Sequence, residues 1–167
     1  MPCTLGHRFY LRDGALHMHT GMRSQDLWLG FPYDVFTNTT LRELLAGWLD
    51  VAIGEYHHHV DSLHLYDHNH VDAAALSEPS ASPRMLDLRT DWASLPDLLD
   101  GVIAGTPSAT VGPGWREFAR VLASYRAWTG GDRTNATDLA RYGDGPLLDA
   151  LRRWYAHLRA RSARSSA

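Results

Sequence analysis

"HRFYLRDGALHMHTGM", residues 7–22, sets two alternating segments around a single Asp13-Gly14 pair. Asp-Gly is a strong signal for a two-residue hairpin turn, because both central residues of that turn need positive φ. The stretch reads as a strand (7–12), a tight turn and a second strand (15–22). The turn at Gly30–Pro32 then leads into VFTNTTLRELLAGWLDVAIG, where Leu41, Leu44, Leu45, Trp48 and Leu49 recur at helical spacing and Gly54 is expected to close the helix. EYHHHVDSLHLY alternates, with Tyr56, His58 and Val60 on one face and His57 and His59 on the other. A strand ending near Tyr66 is expected there. DHNHVDAAAL reads as a short helix capped by Asp67 or Asn69.

A change of composition follows. SEPSASP, 77–83, is rich in Ser and Pro and reads as an exposed connection. Residues 84–90 suit a short strand, and helices are expected over about 92–103, 114–128 and 146–163. In the last of these, Leu147, Leu148, Leu151, Trp154, Tyr155 and Leu158 form an apolar stripe with arginines opposite. The expected fold class is α/β (α+β): a mixed or antiparallel sheet covered by helices, with a helical C-terminal extension. Residues 1–76 would form the core, 77–83 a linker, and 84–167 a helical region packing on the same core.

Bulk properties narrow the function. The 167 residues are 44% apolar with a formal charge of −3, so neither nucleic acid nor an anionic membrane is an expected partner. No apolar run approaches the ~18 residues of a membrane span, and no signal peptide is visible. The single cysteine, Cys3, excludes an internal disulfide and fits a reducing cytoplasm.

That cysteine has a predictable neighbour. A hairpin turning at Asp13-Gly14 places residues whose numbers sum to about 27 opposite one another, so Cys3 should lie near Arg23. A guanidinium beside a thiol favours the nucleophilic thiolate, and it could also hold a phosphate. The plainer reading is a buried packing thiol and a surface arginine.

Four motifs now stand in register: PC at 2–3, RSQD at 23–26, GFPYD at 30–34 and DSLHLYDHNH at 61–70. Together they resemble thymidylate synthase and the related pyrimidine-nucleotide hydroxymethylases, whose P-C-H, Q-R-S-x-D, G-x-P-F-N and G-D-x-H-x-Y-x-N-H motifs occur in this order. The resemblance covers about residues 2–75.

It implies a role for each matched residue. Cys3 corresponds to the nucleophile that adds to C6 of the pyrimidine. Arg23 and Ser24 correspond to phosphate ligands, with Arg23 also beside the thiolate. Asp26 corresponds to a carboxylate whose backbone amide borders the base, and Gly30 lets the backbone approach the ring. His64 and Tyr66 correspond to the residues that bond the sugar 3′-hydroxyl. Addition at C6 makes C5 a carbon nucleophile toward the one-carbon unit of 5,10-methylenetetrahydrofolate. The resemblance also implies a homodimer built by stacking two sheets, here through the face bearing His17 and His19.

Asp34 stands where the synthases carry Asn. An amide suits the N3–H and O4 of uracil, whereas an ionised carboxylate accepts from the exocyclic amino group of cytosine. Facing uracil O4 without a donor would cost about 1–3 kcal/mol. Asp34 therefore points to a cytidylate, CMP or dCMP, and to hydroxymethylation. The plainer alternative makes Asp34 the cap of a helix over 35–53.

The pattern departs at Thr4, where the family has His, and at Met22, where it has Gln. The family's N-terminal half, with its catalytic glutamate, folate contacts and paired arginines, has no counterpart ahead of Cys3. A catalytically incomplete nucleotide-binding homologue, a subunit completed by another chain, and a synthase acting on dUMP are the other readings. Arg116, Arg120 and Arg126 are expected to solvate a helix face. His57, His59, His64, His68 and His70 invite a zinc reading. The nucleotide motif already accounts for His64 and His70, so no metal is expected.

Overall fold

Asp13 and Gly14 both take positive φ, 52° and 75°, and turn the chain between β1 (Thr4–Arg12) and β2 (Ala15–Asp26). The computed structural model describes residues 3–76, 84–106 and 111–165. These fall into two compact units, Met1–Ser80 with Arg89–Trp92, and Ala81–Leu88 with Ala93–Ala167.

In the first unit β1 and β2 pair antiparallel from Arg12↔Ala15 to Thr4↔Met22, with an irregularity between Thr4 and Gly6. β3 (Ala52–His64) joins β2 in parallel, so the sheet is mixed, in the order β1-β2-β3. A parallel neighbour needs a crossover, and α1 (Gly30–Trp48) supplies it. Leu16, Met18, Thr20 and Met22 are buried along one side of β2. Paired residues share a face, which puts Tyr56, His58 and Val60 on that side, under α1. There the Asn38 amide reaches the Tyr56 hydroxyl at 3.2 Å, and Arg42 donates to the Gly54 carbonyl at 2.7 Å.

The other face carries Arg8, Tyr10, His17, His19, His57 and His59. Among the described residues of this unit, no helix packs on it. The Tyr10 hydroxyl meets His19 Nε2 at 2.9 Å, and the His19 and His57 rings lie 4.3 Å apart. Desolvation, followed by His57, Arg8 and His17, lowers the His19 pKa.

Three local expectations are corrected. First, α1 ends at Trp48, not at Gly54. The helical leucine spacing stops at Leu49, Asp50 takes a φ of 51°, and β3 begins at Ala52. Gly54 sits inside β3 at a close approach: a Cβ there would lie 2.8 Å from the Leu16 carbonyl and from the His17 ring. Gly54→Ala should therefore destabilise this unit by about 1–3 kcal/mol. Urea unfolding followed by circular dichroism would show it, and an unchanged midpoint would mean that β2 and β3 part without cost. Second, α1 begins at Gly30, which places Asp34 one turn inside the helix and removes the capping role. Third, 84–90 forms no strand, since a strand needs a ladder partner and the described sheet ends at β3. After β3, a 3-10 turn (Asp67–Asn69) and α2 (His70–Ala74) form the expected short helix, with Asn69 at the N-cap position of α2 but making no side-chain cap hydrogen bond. The 77–83 connection lies outside the described residues.

The second unit is helical: α3 (Leu95–Ala104), α4 (Pro113–Thr129), α5 (Arg133–Arg141) and α6 (Pro146–Ser165). α5 was not expected, because its buried positions are only Ala136 and Ala140, four apart, with no large apolar stripe. The Asp132 carboxylate accepts from the Asn135 N–H at 3.1 Å and starts it. Ala136, Ala140 and Tyr155 form a core against Trp128, Leu151 and Leu158. The Ser124 hydroxyl donates to the Ala136 carbonyl at 2.7 Å, so its oxygen must accept from Tyr155 at 2.9 Å. Trp128 stacks on Tyr155 at 4.2 Å. Arg116 donates to the Val111 carbonyl ahead of α4 and Arg126 to the Ile103 carbonyl near the end of α3, so neither merely solvates a face. Among the described residues, no helix is long and apolar enough to cross a membrane.

Candidate functional site

The carboxyl ends of the parallel strands β2 and β3, together with the start of β1, bring the predicted residues to one end of the sheet. Cys3 is exposed just ahead of β1, and its carbonyl accepts the Arg23 N–H at 2.8 Å. Cys3 and Arg23 are thus direct neighbours across the hairpin. Ser24 and Asp26 follow on β2, both half-buried. Asp26 pairs with His64 on β3, and the His64 carbonyl accepts the Leu27 N–H at 2.8 Å. The His64 and Tyr66 rings meet edge-on at 4.9 Å.

The turn into α1 is built around Asp26. Its carboxylate accepts from the backbone N–H groups of Leu29 at 2.8 Å, Trp28 at 3.0 Å and Gly30 at 3.4 Å. The Leu29 and Trp28 bonds, in that order, lead in holding the Asp26 pKa below its usual value, with smaller help from Gly30 and His64. Asp26 thereby covers orphan donors at the helix start, where a negative charge is favoured. Gly30 opens α1, and a Cβ there would meet the Gln25 side chain only at an ordinary 3.5 Å. One turn on, Asp34 receives the Gln25 amide on Oδ2 at 2.6 Å.

Sequence reasoning missed Gln25 and His58. Gln25 is 4% exposed and is the variable position of the R-S-x-D motif. Its Oε1 meets His58 Nε2 at 2.6 Å, and His58 Nδ1 meets the Tyr56 hydroxyl at 2.6 Å. Phe31 packs edge-on against the His58 ring at 5.3 Å. The available signal was the alternation that puts His58 between Tyr56 and Val60 on the core face, where a histidine needs polar partners. Thr4 and Met22, the two departures from the family pattern, touch each other: the Thr4 hydroxyl donates to Met22 Sδ at 3.4 Å.

Two of the clustered histidines pair with carboxylates on their own strand. His57 meets Glu55, and His59 meets Asp61, each at 3.1 Å. Among the described residues, no group of three or more His, Cys, Asp or Glu side chains could hold a metal ion.

A β-hairpin extended by a parallel strand, with α1 as the crossover and a thiol, an arginine and a helix-borne carboxylate at one end, defines a mixed α/β fold. The thymidylate synthase family model matches residues 1–96, and the chain belongs to that family. It is 33% identical over 87 residues to the thymidylate synthase of Symbiobacterium thermophilum, covering 50% of this chain and 30% of that protein. Against the thymidylate synthase of Staphylococcus haemolyticus the identity is 32% over 92 residues, covering 54% and 29%. The chain therefore spans under a third of these relatives' length. Among solved structures, thermostable thymidylate synthase A from Bacillus subtilis aligns with a TM-score of 0.47 and 27% identity, over 50% of this chain and 31% of that one. The thymidylate synthase of T4 phage aligns at 0.46 and 26%, over 51% and 30%.

Proposed function

We propose that the chain binds a pyrimidine nucleoside monophosphate and takes part in one-carbon transfer to C5, with cytidylate preferred over uridylate. Arg23 and Ser24 hold the phosphate, and His64 and Tyr66 bond the sugar. The Cys3 sulfur adds to C6, which leaves C5 as a carbon nucleophile. Residues of this family member would receive 5,10-methylenetetrahydrofolate as the donor of the one-carbon unit, which is the chemistry the cofactor supplies. With water completing the product, the reaction is hydroxymethylation. The Asp26 carboxylate is engaged with three backbone amides, so its role is to shape the turn beneath the base. A homodimer through the face bearing Tyr10, His17, His19, His57 and His59 belongs to the same reading.

The observation that carries the preference is the Gln25-to-Asp34 hydrogen bond. It leaves Asp34 an acceptor, which matches the amino group of cytosine and opposes uracil O4. The test is tritium release from [5-3H]CMP, dCMP and dUMP, with and without methylenetetrahydrofolate. Release from the cytidylates at least about tenfold above dUMP is expected, given one mismatched buried polar contact. Release from dUMP alone would overturn the cytidylate preference. A second reading, a catalytically incomplete nucleotide-binding homologue or a subunit completed by another chain, is favoured by Thr4 and Met22, which stand where the resembled family carries His and Gln and bond each other instead. It is distinguished by nucleotide binding without release.

A further inference from the structure

Five polar side chains run in series from the interior of α1 to Asp34: Asn38, Tyr56, His58, Gln25 and Asp34, at steps of 3.2, 2.6, 2.6 and 2.6 Å. They come from three elements, α1, β2 and β3, and Gln25, the link between His58 and Asp34, is buried. Donor and acceptor inventory sets the direction of the series. An ionised Asp34 only accepts, so the Gln25 atom beside it is the amide nitrogen. The Gln25 oxygen then faces His58, whose Nε2 must carry hydrogen. In a neutral ring Nδ1 is bare, and it takes the Tyr56 hydroxyl proton. The Tyr56 oxygen in turn accepts from Asn38.

The reversed series is also self-consistent, but only when Asp34 carries a proton to donate to the Gln25 oxygen. Gln25 Nε2 would then donate to a bare His58 Nε2, and the imidazole hydrogen would sit on Nδ1. The two arrangements differ in the charge of Asp34 and in the tautomer of His58 together. Burial lowers the His58 pKa and Asp34 opposes that in part, which favours the neutral ring that the series requires. The ionisable groups around His58 are few. Asp34 and Arg42 come from α1, Arg42 over the Tyr56 ring at 5.9 Å; Tyr56 lies on the same strand. On β2, Thr20 is paired beside His58 and meets His7 of β1 at 3.1 Å.

We infer that Tyr56, His58 and Gln25 are positioning residues that hold Asp34 as a hydrogen-bond acceptor toward the pyrimidine edge, with the His58 tautomer recording the charge of Asp34. The inference deepens the reading of Asp34 as the base-facing group and rests on it. Without the His58 N–H nothing on the far side of Gln25 opposes the flipped amide, whose oxygen would face a protonated Asp34 that donates as well as accepts. A site that presents both matches neither base cleanly, and selectivity falls.

The test has two arms on the full chain. In uniformly 15N-labelled protein near neutral pH, long-range imidazole correlations should show His58 protonated on Nε2 and bare on Nδ1. The opposite tautomer overturns the direction of the series. Second, CMP and UMP affinities are measured by calorimetry for the native chain, His58→Phe and His58→Gln. His58→Phe should lower the CMP-over-UMP affinity ratio about tenfold, the scale of one lost hydrogen bond near a charged group. His58→Gln, which can still donate to Gln25, should recover most of it. An unchanged ratio in His58→Phe, with the Nε2–H tautomer in place, overturns the positioning role. If the native chain binds neither nucleotide, the proposed function fails, while the tautomer still decides the series.

Discussion

In the proposed reaction, alanine at Cys3 should abolish tritium release from C5 of cytidylate, on the order of a thousandfold or more, because the proposed addition at C6 then has no nucleophile. Cys3 is the only cysteine in the chain. Release of the C5 hydrogen requires C5 to become nucleophilic, and that requires a group bonded at C6. Cys3→Ser keeps the shape but replaces the thiol with a much weaker nucleophile, so it should fall nearly as far. The fold should not respond. Cys3 is exposed, and the bond that ties it to Arg23 uses the backbone carbonyl, which alanine retains. Surface changes of this kind stay within about 0.5 kcal/mol. Nucleotide affinity should change less than about threefold, since the proposed phosphate, sugar and base contacts come from other residues. Retained release in Cys3→Ala, or retained covalent capture of a 5-fluoropyrimidine nucleotide, would remove Cys3 from the chemistry.

The parts of this site that could be read from the sequence were those governed by short-range rules. Asp13-Gly14 determines a two-residue turn, and that turn alone brings Cys3 to Arg23. The irregularity between Thr4 and Gly6 shifts the register by one: Gly6 faces Gly21, whereas Thr4 faces Met22. The estimate survived because a single-residue slip still leaves Cys3 beside Arg23. The four family motifs were legible because each is contiguous. Gln25 and His58 were not, since their partnership depends on the parallel pairing of β2 and β3 and on where α1 crosses them. The end of α1 was misplaced for a related reason: Gly54 looked like a helix stop, but it is a glycine because β2 passes within 2.8 Å of where its Cβ would be. Asp34 looked like a cap because the helix start was assigned five residues late. The true start is served by Asp26, whose carboxylate reaches across a turn to three amides. α5 escaped because two alanines pack as effectively as leucines where the neighbouring helices supply Trp128, Leu151 and Tyr155.

Glu117→Leu should destabilise the helical unit by about 2–4 kcal/mol, the largest stability effect expected of a single change in that unit. Glu117 is 3% exposed on α4, and its Oε1 accepts the N–H groups of Leu147 at 2.7 Å and Leu148 at 3.0 Å. Those are first-turn donors of α6, which has Pro146 at its start and no partner of its own for them. One carboxylate therefore satisfies a buried donor and a half-buried one and sets a negative charge at the positive end of a 20-residue helix. The opposing term is its own burial. Oε2 has no hydrogen-bond partner, which lowers the net value of the arrangement. Leucine removes that burden but leaves two amides unpaired inside the unit, and two orphaned donors outweigh one spare acceptor. Glu117→Gln separates the two effects: it keeps an acceptor for both amides and loses only the charge, so about 1 kcal/mol is expected. Close packing constrains the same spot, because a Cβ on Gly145 would fall 2.2 Å from Glu117 Oε1. Urea unfolding monitored by tryptophan fluorescence, with Trp115 and Trp128 as reporters in this unit, measures both variants. If Glu117→Leu unfolds at the native midpoint, the two amides have other partners and the start of α6 does not depend on α4.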